Sequence, residues 1–138
     1  MVDCLFCKIA KHEIGSAIVY ETGDTVAFLD IHPKAPGHTM VIPKRHAETI
    51  LELTGRNLGQ LFRSVQEVTR GLRETLSADG FTIGWNHGKK AGQIIEHLHV
   101  HIIPRFENDR GGSIHSVVDN PPKESLGEIR TRIQQAWK

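Results

Sequence analysis

At 138 residues the chain has the length for one domain with a real core and little room for a second. Its 17 Lys and Arg nearly balance 16 Asp and Glu, and a formal charge of +1 argues against broad electrostatic capture of nucleic acid or a membrane surface. No apolar run reaches bilayer-spanning length and the N-terminus MVDCLFCKIAKHE lacks a basic segment followed by an apolar signal core, so the expected location is the cytoplasm.

Cys4 and Cys7 are the only cysteines, and three-residue spacing in a reducing compartment reads as metal binding or redox chemistry rather than a structural disulfide. AIVYE and TVAFLD flank the turn-like TGD, which predicts a β-hairpin over 17–21 and 25–30 with Val26, Phe28 and Asp30 on one face. HPKAPGH is broken by two prolines and a glycine and leads into a third strand over 38–43, where His38, Met40 and Ile42 share a face. Leu58, Leu61, Phe62, Val65, Val68 and Leu72 recur at helical spacing, so 55–77 should form a long amphipathic helix over one face of the sheet. FTIGWN, 81–86, reads as a fourth strand with Phe81, Ile83 and Trp85 toward the core and Thr82, Gly84 and Asn86 opposite. HLHVHIIP, 97–104, is the fifth strand, 107–122 reads as loop, and PPKESLGEIRTRIQQAW suggests a C-terminal helix with Leu126, Ile129, Ile133 and Trp137 as its apolar stripe. No repeat or interior linker divides the chain, so the fold class is α+β in a single unit.

The chemistry concentrates on the fifth strand. A period of two sends His97, His99 and His101 to one face and Leu98, Val100 and Ile102 to the other. Three imidazoles this close repel when protonated, which favours neutral rings available as nucleophiles or as metal ligands. Immediately upstream, NHGKKAGQ combines glycines, free N–H donors and two lysines, an arrangement suited to an anion.

His97-Leu98-His99-Val100-His101-Ile102-Ile103 matches the His-φ-His-φ-His-φ-φ signature, φ being apolar, of the histidine triad (HIT) superfamily. AFLDIHPKAPGHTMVIPKRH at 27–46 and NHGKKAGQ at 86–93 are similar to blocks of its Hint-like branch, and the similarity runs over about residues 3–105. The resemblance implies a five-stranded antiparallel sheet with one long helix and shorter N- and C-terminal helices, paired with a second copy into a ten-stranded sheet. It implies cleavage at a nucleotide α-phosphate with His99 as nucleophile and His101 and His38 beside it. Asn86, Gln93 and the Gly92 backbone N–H would contact the phosphate. Phe6, Ile9, Phe28 and Ile31 would enclose a purine base, though core packing explains the first two and Ile31 nearly as well, and Asp30 would accept both ribose hydroxyls.

Some bacterial members of this family hold zinc with a Cys-x-x-Cys pair and two histidines, and Cys4, Cys7, His46 and His97 stand in those places. Four protein ligands leave no open position, so such an ion would be structural. One departure concerns the leaving group: where the family commonly has Ser or Thr after Gln93, this chain has Ile94, which has no hydroxyl to donate. His12, His32, His87 and His115 are expected to face solvent. The expected reaction is release of a nucleoside monophosphate, most plausibly AMP, from a phosphoramidate or related mixed anhydride. The alternatives are dinucleoside polyphosphate cleavage, a nucleotide-binding regulatory module, and a metal site built from the triad itself.

Overall fold

The computed structural model describes residues 3–137. A short helix α1 (Leu5–Ala10) precedes the hairpin of β1 (Ile18–Glu21) and β2 (Thr25–Leu29), then β3 (Thr39–Pro43), the long helix α2 (Gly55–Leu76), β4 (Gly80–Gly84), β5 (Val100–Arg105) and a terminal helix α3 (Leu126–Ala136). The strands form one antiparallel sheet in the order β1-β2-β3-β5-β4, which matches the expected five-stranded α+β architecture.

Alternation in the central strands divides the core in two. Ala27, Val41, Val100 and Ile102 face α2, where Leu61, Val65, Val68 and Leu72 are buried against them. Each fully buried aliphatic side chain contributes about 1.5–3 kcal/mol of burial free energy. The hydroxyls of Thr25 and Ser64 meet at 2.6 Å under α2, satisfying the polar pair that the helix covers. The other face carries Val26, Phe28, Met40 and Ile42, and α1 covers it with Phe6, Ile9 and Ala10. Thr54 caps α2 by accepting from the Asn57 N–H, and Ser77 ends it in the left-handed region at φ 53°.

Five expectations need correction. The ladder of the fifth strand begins at Val100 rather than His97, because the Pro43 carbonyl at the end of β3 bonds to the His97 ring instead of a backbone N–H. The alternation survives without the ladder: Leu98 packs on the α2 side while His97 and His99 lie on the other. The fourth strand stops at Gly84, short of Trp85 and Asn86, and Ile83 is 39% exposed instead of in the core. It lies on the edge strand, whereas α2 packs over β2, β3 and β5. Phe62, at 37% exposure, leaves the buried stripe of α2 to meet Trp85 edge-on at 5.6 Å. The C-terminal helix starts at Leu126, where Ser125 and Glu128 form a capping box, and buries no side chain; Leu126 and Trp137 are more than four-fifths exposed. Within the expected loop 107–122, residues Ile114–Ser116 make one 3-10 turn.

Candidate active site and metal centre

The first cluster sits where α1 meets the lead-in to β5. Cys4 caps α1, its Sγ accepting from the Cys7 N–H, and this brings both thiols to one end of the helix. Cys4 Sγ lies 3.4 Å and Cys7 Sγ 3.6 Å from His97 Nδ1, while His46 Nδ1 is 3.3 Å from Cys7 Sγ. A tetrahedral zinc with its usual bond lengths separates sulfur from nitrogen by roughly 3.6 Å, so the four donors already have the spacing such an ion requires. The His97 tautomer fits too. Its Nε2–H donates to the Pro43 carbonyl at 2.8 Å, which leaves the Nδ1 lone pair directed at the thiols. Burial holds His97 down at about 4, with the His46 and His99 rings adding to the effect against the Pro43 hydrogen bond, so the ring stays neutral at physiological pH. Burial also pushes the Cys7 thiol up to about 11, helped by Cys4. In this setting the Cys7 thiol keeps its proton until a cation displaces it.

The second cluster begins two residues further on. His99 is 9% exposed, packed edge-on against Phe6 at 5.2 Å between ring centres. Its Nδ1–H donates to the His97 carbonyl at 2.7 Å, leaving a lone pair on Nε2. Beside it the tautomers follow from one backbone donor. The Lys34 N–H donates to His38 Nδ1 at 3.1 Å, so the His38 proton is on Nε2 and is given to His101 Nδ1 at 2.9 Å. His101 therefore carries its own proton on Nε2. Asp30 Oδ1 accepts from the His32 N–H, while Oδ2 lies 3.5 Å from His38 Nε2 and 4.0 Å from His101 Nδ1.

Asp30, His38 and His101 offer three donor atoms close enough to share an ion. A cation on His38 Nε2 would move the ring proton to Nδ1, against the Lys34 N–H. The neutral hydrogen-bond chain is the arrangement these partners support. Gly37 delivers His38 to it: the backbone there is left-handed at φ 84°, and a Cβ would run into Leu76.

Burial holds His101 down at about 4, with His99 and His38 adding to the effect and Asp30 opposing it; burial lowers His38 as well. Since the unfolded ring titrates near 6.5, the unfolded chain binds a proton that the folded one refuses over the window from about 6.5 to about 4. Stability is full above that window and declines as pH falls through it. Urea unfolding of the metal-free protein at pH 7 and pH 4.5 should show a loss of up to about 3 kcal/mol from His101, with His97 adding in the same direction. Equal stability at the two pH values would contradict the buried, neutral rings of His97 and His101.

The other expected site residues divide. Asn86 is exposed, and among the described residues its amide has no hydrogen-bond partner. Gln93 is 6% exposed and uses its amide as a brace, donating to the Glu48 and Ile95 carbonyls and accepting from the Gly88 N–H. The Gly92 N–H closes a turn on the Lys89 carbonyl. Gln93 and Gly92 thus shape the 86–93 loop. Phe6, Ile9 and Phe28 are buried together, whereas Ile31 is 84% exposed and Ile94 88%. Of the unassigned histidines, His12 pairs with Glu21 at 2.8 Å and His115 bonds to Ser113. Spacing gave no signal for the backbone of Lys34 as the group that sets the His38 tautomer.

Residues 11–108 match the family described as the HIT domain. The chain belongs to the HIT family. Among HIT relatives, the Candida albicans adenosine 5'-monophosphoramidase HNT1 is 30% identical over 137 residues, 96% of this chain and 90% of that one. A Schizosaccharomyces pombe protein, the asymmetrical bis(5'-nucleosyl)-tetraphosphatase, is 40% identical over 100 residues, 72% of this chain and 55% of that one. The crystal structure of SMU.412c from Streptococcus mutans superposes with a TM-score of 0.87 at 39% identity, over 100% of this chain and 87% of that one. A zinc-bound histidine triad protein from Mycobacterium smegmatis superposes at 0.73 with 28% identity and 97% coverage of each chain.

Proposed function

We propose that this HIT protein hydrolyses nucleoside 5'-phosphoramidates or related mixed anhydrides, releasing a nucleoside monophosphate, with AMP as the expected product. The observation that carries the reading is the His99 tautomer: the His97 carbonyl holds the proton on Nδ1 and leaves Nε2 as a free nucleophile. In the first step Nε2 forms a bond to the α-phosphorus while the bond to the leaving amine breaks, the amine departing with the bonding pair and a proton from solvent. In the second, a water oxygen attacks phosphorus, the P–Nε2 pair returns to His99 and the water's proton is released. His101 supplies a neutral Nε2–H donor for the phosphoryl oxygens, fixed by the chain from Lys34 through His38. Asn86 offers its amide from the loop, with Gln93 and Gly92 setting the loop's shape. Phe6, Ile9 and Phe28 form the wall for a purine and Ile31 stands free to close over it.

Cys4, Cys7, His46 and His97 would hold a zinc ion, which would tie α1 to the catalytic segment rather than touch substrate. A second copy would pair along the open β4 edge, where Ile83, Phe62 and Trp85 are left partly uncovered, to give the ten-stranded dimer. The whole chain, 1–138, acts as one HIT domain. No helix among the described residues is long and apolar enough to cross a membrane, and paired free thiols suit a reducing cytoplasm.

Incubating the protein with adenosine phosphoramidates and diadenosine polyphosphates tests the reading. AMP from the phosphoramidates at the higher kcat/KM supports it, and faster cleavage of the polyphosphates would replace it with the tetraphosphatase activity. Asp30→Asn should reduce the preference for ribose over 2'-deoxyribose substrates by about tenfold, since an amide replaces one charged acceptor with a donor. An unchanged preference would remove Asp30 from the ribose site.

A further inference from the structure

Cys4 and Cys7 are the only cysteines in the sequence, and both are free. They stand one turn apart at the start of α1, their sulfurs within 4.8 Å of each other. A disulfide needs about 2 Å between the two sulfurs, a closure within reach of side-chain rotation. The pair is 8% and 9% exposed, but His46 beside it is exposed, so the cluster opens to solvent on that side.

Two contacts run from these thiols to the nucleophile. Phe6 lies between Cys4 and Cys7 in the chain and packs edge-on against His99 at 5.2 Å and Phe28 at 5.3 Å between ring centres. His97 is fully buried, and among the described residues its Nδ1 meets only the two sulfurs. The carbonyl of the same residue holds the proton on His99 Nδ1. Because the Pro43 carbonyl fixes the His97 proton on Nε2, the ring cannot turn a donor toward the sulfurs. A disulfide has no proton to offer. Joining the cysteines therefore leaves a buried imidazole nitrogen without a partner, in the residue that sets the His99 tautomer.

We propose that Cys4 and Cys7 form a reversible oxidation site for peroxides, closing an intramolecular disulfide that releases the zinc and loosens Phe6 from the nucleotide wall. The effect on nucleotides rests on the nucleotide site proposed above; the thiol chemistry does not. Zinc coordination would hold both sulfurs as thiolates, the form that attacks an oxidant. One thiolate attacks a peroxide oxygen, so that an S–O bond forms, the O–O bond breaks and the departing hydroxide takes a proton to become water. The second thiolate attacks the resulting sulfenic sulfur. An S–S bond forms, the S–O bond breaks and a second hydroxide leaves and is protonated. Two electrons pass from the sulfurs to the peroxide, and two of the four zinc ligands are lost. In a reducing compartment such a bond is transient and suits sensing rather than structure.

The test treats the zinc-loaded, full-length protein with stoichiometric hydrogen peroxide and follows intact mass, zinc release to a chromogenic chelator, and AMP affinity by titration calorimetry. The product should be lighter by two hydrogens, with zinc released in step. AMP affinity should fall about tenfold, the loss expected for one aromatic contact in the base wall. A dithiol reductant with added zinc should restore all three. With no other cysteine in the chain, an intramolecular disulfide has only one location. A product that only gains oxygen, or a disulfide between two chains, overturns the site. A disulfide that forms while zinc and AMP affinity stay unchanged overturns its link to the nucleotide wall. In the Cys4→Ser/Cys7→Ser variant, AMP affinity, whatever its starting value, should not respond to peroxide; a fall as large as in the unaltered protein means that peroxide acts elsewhere and refutes the proposal. If the reduced, zinc-loaded protein binds no AMP, the proposed function fails, and mass and zinc release alone decide the oxidation site.

Discussion

His99→Ala should keep the fold and nucleotide binding while losing at least about a thousandfold in turnover, equivalent to ~4 kcal/mol of transition-state stabilisation. His99 lies outside the β5 ladder, so removing its ring breaks no strand pairing, and among the described residues its one ring hydrogen bond is to a carbonyl two residues back. What disappears is the covalent route itself. The donors at His101 and Asn86 stay in place and preserve binding. Denaturing the unaltered protein during turnover, without acid, should trap a nucleotide mass on the peptide that contains His97, His99 and His101. The adduct should be absent from the variant. Near-normal turnover by His99→Ala would refute the mechanism, and nucleotide binding by the unaltered protein with no turnover at all would make it a binding module.

The second large effect concerns the metal. Elemental analysis should find one zinc per chain, and a Cys4→Ser/Cys7→Ser double variant should contain none. Exhaustive chelation should lower the melting temperature by on the order of 10 °C, because an ion bound only by the folded chain stabilises it by mass action. The loss arises from α1, which is six residues long and depends on this cluster and on Phe6 and Ile9 for its attachment to the sheet. Activity should fall gradually with the loss of folded protein. Complete inactivation at an unchanged melting temperature would mean that the ion acts in the chemistry, and zinc retained without the cysteines would place it on Asp30, His38 and His101.

Much of this was legible in the residues because two periodicities carry it. The 3.6-residue recurrence of Leu61, Val65, Val68 and Leu72 marked the buried side of α2, and the alternation from His97 to Ile102 separated the imidazole face from the helix face. Edges were less readable. Ile83 and Phe62 have core-forming side chains, but exposure depends on which strand lies at the border of the sheet, a tertiary fact that local pattern does not contain. The start of β5 was misplaced for a similar reason, since a side chain from His97 takes the carbonyl that a ladder would have used. Within the site, residue types and spacing single out Gln93 and Gly92 as candidate phosphate donors but carry no sign of the bonds they make inside the protein. Whether an amide faces a ligand or braces its own loop is decided by carbonyls far away in sequence, such as that of Glu48. The Lys34 contact was invisible because a backbone N–H has no residue type.

The strand order also bears on how the chain reaches this state. β1 pairs with β2 through the tight turn 22–24 and β2 with β3 through the loop 30–38, closures that cost little chain entropy. β3 meets β5 only after α2 and β4 have intervened, and the hydrogen bond between His38 and His101 joins residues 63 positions apart. Pairing at that separation is the most expensive loop closure in the sheet, and long-range closures of this kind dominate the folding barrier. His38 therefore joins the histidines of the β5 segment only as β3 meets β5. A partly folded chain with its hairpin and long helix in place still has no functioning catalytic centre.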